Sequence, residues 1–416
     1  MDISRPLCVS FVIFLVLPSY AFVYQEYPAL VLFFISNQMF LLTPFALLLS
    51  RFNISRTSYL LLVLFIFTFY TNFVAGVGVS SSDLIPFMSL PIYLLSIFSG
   101  LFLAKYLLVN TEIFLKYYSL IGIVPPLIYL LEKLVIGGSL WRPSNLLVEG
   151  SYIVMTKGLT ISFSIYLTLF FLRPLKTIHP INTLGLITST LAILFNQSRA
   201  SIAALLPLTA AFMILNLLSA RKYSMLQIVR TLIFPLFAVL TLVITYLYAL
   251  INSNSLSLLR WSKVFQDTEN ILFSVRPFWQ DILVNYSQLS LQDKIFGAGS
   301  AQLLLDQGLI AHNFFLETLY DYGIVGLFLL LFILLLTLHR LVKILPSIEV
   351  CSHRTLLIAL ILSTIAMLLD YSKARSIYDY PDLFAMLSLL VCLQHGISKK
   401  AQILPQSQTI TLRVNS

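Results

Sequence analysis

The side chains with the most chemical capacity sit where polar segments meet long hydrophobic runs. His312 and Asn313 open the stretch Ala311-His312-Asn313-Phe314-Phe315-Leu316-Glu317, which leads without interruption into an apolar run. A histidine, with an ordinary pKa of about 6.5, can take a proton from a hydroxyl at ambient pH. At a water–lipid boundary with donors nearby, such a group suits the handling of a sugar hydroxyl. The alternative is a plain helix start, at which Asn313 or His312 only caps free N–H groups. Gly323 and Gly326 follow, and are expected to let another helix come close just inside the boundary.

Two arginines have comparable potential. Arg199 lies in Asn196-Gln197-Ser198-Arg199-Ala200-Ser201, a short polar hinge between two apolar runs. A turn there needs only small polar residues; the alternative is an arginine that snorkels to lipid headgroups. Arg276 lies in Ser274-Val275-Arg276-Pro277-Phe278-Trp279. Pro277 suits the first turn of a helix, which puts Arg276 where backbone N–H groups and the helix dipole already favour an anion. Trp279, Ile282, Leu283 and Tyr286 then share one face, so the piece is expected to lie in the membrane interface. The alternative is a simple Arg/Trp interfacial anchor. Arg142, in Trp141-Arg142-Pro143, is a third candidate.

The elements that must position these groups are membrane spans. Only 10% of the 416 residues are charged, against about 25% in soluble domains. Hydrophobic runs near 7–23, 29–49, 58–75, 84–104, 117–131, 152–172, 181–195, 200–219, 231–251, 314–338, 355–370 and 382–396 predict an all-α, polytopic integral membrane protein of about twelve transmembrane helices. The run 181–195 is short and is expected to tilt or start earlier. The first run follows Arg5 and reads as an uncleaved helix, because a second follows almost at once. Lys and Arg between the runs fall on alternate connections, which puts both termini in the cytoplasm. The chain then divides into 1–251 (spans one to nine), 252–313 (one large outer loop), 314–396 (spans ten to twelve) and a cytoplasmic tail, 397–416.

Several function classes drop out. The net charge of +9 comes without a polybasic tract, so nucleic acid is not an expected partner. No P-loop is present, so no nucleotide is expected. There is no HExxH and no pair of outer aspartates at metal-ligand spacing, so neither metal nor cofactor is expected. The three cysteines, Cys8, Cys351 and Cys392, are scattered and all fall at cytoplasmic ends, so no disulfide is expected. No internal repeat of the transporter kind is evident. Lys157 is the one basic residue that lies a turn or two inside a span rather than in a loop.

Together these motifs resemble a family. Asn196-Gln197-Ser198-Arg199-Ala200, then Ser274-Val275-Arg276-Pro277-Phe278-Trp279, then Phe296-Gly297-Ala298-Gly299, then His312-Asn313 followed after nine residues by Gly323 and Gly326, are similar to the O-antigen ligase and O-antigen polymerase superfamily of bacterial envelope biogenesis. The resemblance is specific over about 181–338 and extends to the whole chain in topology. It implies a GT-C-type membrane glycosyltransferase at the periplasmic face of the inner membrane, using glycan on undecaprenyl diphosphate. Ligases pass polysaccharide to the lipid A–core; polymerases pass it to another lipid-linked repeat. The His-Asn, nine-residue, GxxG form resembles the ligase, and only one large outer loop is present. A non-enzymatic lipid-glycan flippase is the third reading. The resemblance implies His312 as the base, Arg199 and Arg276 as diphosphate clamps, and Arg142, Gln197, Trp279 and Asn313 as substrate contacts. Asp321 or Glu317 would orient His312.

Overall fold

The structure, a computed structural model, describes residues 103–104, 106–135, 148–172, 175–195, 199–219, 276–299, 313–348, 350–374 and 382–397, with single positions at Val12, Ile97, Gly100, Leu240 and Ile244. Every regular element among the described residues is helical. The helices are α1 (Thr111–Ile121), α2 (Val124–Val135), α3 (Val148–Leu172), α4 (His179–Phe195), α5 (Arg199–Ser219), α6 (Arg276–Gln288), α7 (Leu291–Phe296), α8 (Phe314–Ile344), α9 (Cys351–Ala374) and α10 (Asp382–Ile397).

Seven predicted spans fall on described helices: 117–131 on α1 and α2, 152–172 on α3, 181–195 on α4, 200–219 on α5, 314–338 on α8, 355–370 on α9 and 382–396 on α10. The other five lie almost wholly outside the described residues. Four helical segments are long and apolar enough to cross a membrane: Thr111–Leu131, Lys176–Leu194, Phe314–Ser347 and Cys351–Asp370. The short run 181–195 does start earlier, through a 3-10 turn at Lys176–Ile178 that runs into His179. The 117–131 run is two helices, parted at Gly122 and Ile123 just before Pro125 and Pro126. Proline tolerates the first turn of a helix but not its interior, so the break falls there.

α3 is the central helix and packs against α4, α5 and α9. Phe163, Ile165, Tyr166, Leu167 and Leu169 are buried around its whole circumference, as expected of a helix surrounded by others. Hydroxyls here turn back onto their own helices. Ser164, Thr168, Thr190, Thr209, Ser363 and Thr364 each donate to the carbonyl four residues earlier, so these hydroxyls are satisfied within their own helices.

Side-chain contacts fix which helix ends lie together. Cys351 Sγ, opening α9, donates to the Leu172 carbonyl that closes α3. His179, opening α4, stacks on Phe170 of α3, with ring centroids 5.2 Å apart. His353 Nε2 meets the Leu108 carbonyl at 3.0 Å. These residues define one end of the bundle. α4 therefore runs away from it, and Phe171 against Phe212 brings α5 back towards it. Arg199 thus belongs to the opposite end. α8 reaches the first end through Leu345–Ser347 and then α9. Counting back from Ile344 to Ile324 gives about 30 Å of helix, a hydrocarbon thickness, so the Asn313 start of α8 emerges at the end that carries Arg199.

Candidate functional site

The site is built from three helix starts and a turn. α6 begins at Arg276, with Pro277 in its first turn, as the sequence predicts. Its buried face differs in one residue. Ile282 is buried and Trp279 and Tyr286 are half-buried, but Leu283 is 47% exposed. The face packs on protein: Ile282 sits against Tyr320, with Tyr286, Leu289, Ala298 and Leu316 around them. Helix-on-helix packing selects the narrower 279, 282, 286, 289 stripe, which excludes Leu283.

α7 starts at Ser290, whose Oγ accepts the Asp293 N–H at 3.1 Å and donates to Asp293 Oδ2 at 2.7 Å. It ends at Gly297, with φ +97°. The Tyr286 hydroxyl donates to the Lys294 carbonyl at 2.8 Å and ties α7 to α6. Partial burial raises the Tyr286 pKa above its ordinary value, so the hydroxyl stays a donor.

α8 is capped by Asn313, whose Oδ1 accepts from the N–H groups of Phe315 and Leu316 at 3.0 and 3.2 Å. The capping alternative therefore holds for Asn313, which leaves its amide Nδ2 as its donor. Glu317 and Asp321 follow one turn apart on the same face, and both are buried, at 3% and 0% exposure. Glu317 stands in the first turn, where the helix dipole favours a carboxylate. At Gly323 the helix breaks, with φ +66° and ψ −173°. The expected close approach of another helix at this glycine is met by the C-terminal end of α7, at Ile295, and by Gly297 just after it. The N–H groups of Ala298 and Gly299 donate to the carbonyls of Tyr320 and Asp321 at 3.0 and 3.1 Å.

The backbone thus brings Arg276, Trp279 and Asn313 into one cluster of elements, and Arg199 to the same end of the bundle. The side chains of Arg199 and Arg276, and all of His312, Gln197 and Arg142, lie outside the described residues. Trp279 Nε1 is buried and makes no hydrogen bond to a described residue.

No family model and no curated protein matches the chain.

A further buried charge pair sits between α3 and α10. Lys157 Nζ lies 3.0 Å from Asp382 Oδ2. The sequence marks Lys157 as unusual, but nothing in it points to Asp382, which lies 225 positions away. The sequence names Glu317 or Asp321 as a partner for His312, and the fold adds that both are buried on one face.

Proposed function

We propose that the protein is a metal-independent glycosyltransferase of the bacterial inner membrane, of GT-C type with about twelve spans. In this reading it transfers polysaccharide from undecaprenyl diphosphate to the lipid A–core at the periplasmic face, as an O-antigen ligase. The observation that carries the reading is that α6 and α8, which start at Arg276 and Asn313, pack against each other, at the end of the bundle from which α5 starts at Arg199. Those are the positions on which the family resemblance rests.

The chemistry follows from the residue types. The acceptor hydroxyl oxygen forms a bond to the anomeric carbon while the bond from that carbon to the diphosphate oxygen breaks. The electron pair leaves with the diphosphate, which gains charge. Arg199 and Arg276, with Arg142, stabilise that charge through paired hydrogen bonds. His312 takes the hydroxyl proton, oriented by Glu317 or Asp321. Trp279, Gln197 and the Asn313 amide contact the glycan. Lys157 argues against a flippase, because it is fully buried against Asp382 rather than facing a path through the spans.

The reading requires the Asn313 end of the bundle to face the periplasm. In a background without native cysteines, Leu291→Cys (75% exposed) should react with an impermeant thiol reagent in intact spheroplasts. Val350→Cys, 50% exposed near the other end, should react only after lysis. The reverse pattern would invert the orientation and remove the periplasmic site.

Purified protein given lipid-linked glycan and lipid A–core should form product in excess EDTA. Turnover that stops with chelation and returns with magnesium or manganese would overturn the arginine mechanism. In a deletion strain, bare core with accumulated lipid-linked polymer is expected. Core capped by a single repeat would instead identify a polymerase.

A further inference from the structure

We propose that Gly297 and Gly323 are a positioning pair, through which the turn after α7 clasps the kink in α8 and fixes the angle of the site-bearing segment. The inference rests on the ligase reading for the reaction it serves, and on backbone geometry for the contact itself.

The kink frees carbonyls. In a straight helix the carbonyls of Tyr320 and Asp321 would accept from Ile324 and Val325, but the backbone turns aside at Gly323 between them. The freed acceptors are met by the Ala298 and Gly299 N–H groups at 3.0 and 3.1 Å. A polar backbone group inside an apolar protein is costly when unmet, so the turn completes the kink.

The two glycines depend on each other. A Cβ at Gly323 would overlap the Ile295 carbonyl and the Gly297 nitrogen. A Cβ at Gly297 would overlap the Asp321 carbonyl and the Tyr322 Cα. Both also have positive φ, at +97° and +66°, where an L side chain is disfavoured. The contact is backbone on backbone, with no flexible side chain to absorb an error.

What the clasp controls is local. Residues from Ile324 onward form an ordinary apolar span, whose path does not need the turn. The nine residues Phe314–Tyr322 between Asn313 and the kink do need it, because they carry Glu317 and Asp321 and join directly to His312. A catalytic group must be held to within about 0.5 Å, and a helix of two and a half turns pivoting at one glycine is not held that well. Phe314 and Tyr322 anchor the segment in the main core, and the clasp adds a backbone attachment at the pivot itself. The Ile282–Tyr320 packing and the Tyr286 bond to Lys294 brace it from α6.

The test uses the purified full-length chain. Gly297→Ala and Gly323→Ala should each lower kcat about 100-fold, the scale expected of a 1 Å misplacement. The KM values for donor and acceptor should stay within about threefold. The double variant should be no worse than the poorer single one, because both changes break one contact. In wild-type protein the Ala298 and Gly299 amides should be slow to exchange with deuterium, and Gly323→Ala should abolish that protection. If neither glycine variant accumulates, Tyr286→Phe carries the test. It keeps the ring and loses only the bond to Lys294, and should lower kcat several-fold at unchanged KM. Singly substituted glycine variants with wild-type kcat, effects confined to KM, multiplying effects in the double variant, or an unaltered Tyr286→Phe enzyme would each overturn the positioning role alone. A wild-type protein that transfers no glycan would overturn the ligase reading and this role with it, whatever its exchange pattern.

Discussion

His312→Ala should lower the turnover number for glycan transfer by about 10²–10⁴-fold, the usual contribution of a positioned general base, while lipid-linked donor still binds. The acceptor hydroxyl must lose its proton as it attacks, and His312 is the one histidine that the charge pattern puts on the outer side; His179, His339, His353 and His395 fall at inner ends. The arginines should behave differently. Arg199→Ala should weaken donor binding as well as turnover, because a phosphate contact acts in both ground and transition states. Arg276→Lys keeps a charge but loses the planar fork, so it should not rescue activity. Each variant is first shown to insert and accumulate. Near wild-type transfer by a well-accumulated His312→Ala protein would sink the assignment. The stretch would then be a helix start only, a role that Asn313 already fills by capping Phe315 and Leu316.

Local sequence signals were read well, and contacts between distant segments were not. Pro277 announced the start of α6, and Asn313 announced the cap of α8, because both act within one turn of themselves. The apolar runs marked the described spans, since lipid demands about 20 such residues in a row. Leu283 was misread because a helical face drawn from sequence is wider than the stripe a neighbouring helix covers. The role of Gly323 was half legible. A glycine pair in an apolar run signals the close approach of a helix, but only the fold shows that this helix is the short α7 with its Gly297 turn, and that Gly323 breaks α8 where they meet. Glu317 and Asp321 were legible only as alternative partners of His312; their burial together on one face is seen only in the fold. The Lys157–Asp382 pair was the least legible feature. Asp382 stands at the edge of the last apolar run and looks like an ordinary loop boundary.

Removing one partner of that pair should destabilise the described bundle strongly, because it leaves a lone charge buried. Lys157 and Asp382 have side chains only 1% and 8% exposed, and their charges are 3.0 Å apart. Lys157 is fifteen residues from Leu172 at the end of α3, or about 22 Å along the helix, which keeps the pair within the hydrocarbon thickness of about 30 Å. Lys157→Met removes the ammonium and leaves the carboxylate buried, so it should cost about 3–5 kcal/mol. Asp382→Leu should cost a similar amount, by leaving the ammonium. The double change Lys157→Met with Asp382→Leu should recover most of the loss, because neither ion then has to leave water. Thermal unfolding of the detergent-solubilised variants measures all three, and the non-additivity of the cycle measures the coupling. A Lys157→Met protein that melts with the wild type would show that the ammonium adds nothing to the bundle. A double variant no better than the singles would show that hydrogen-bonding shape, not charge balance, is what α3 and α10 require of each other.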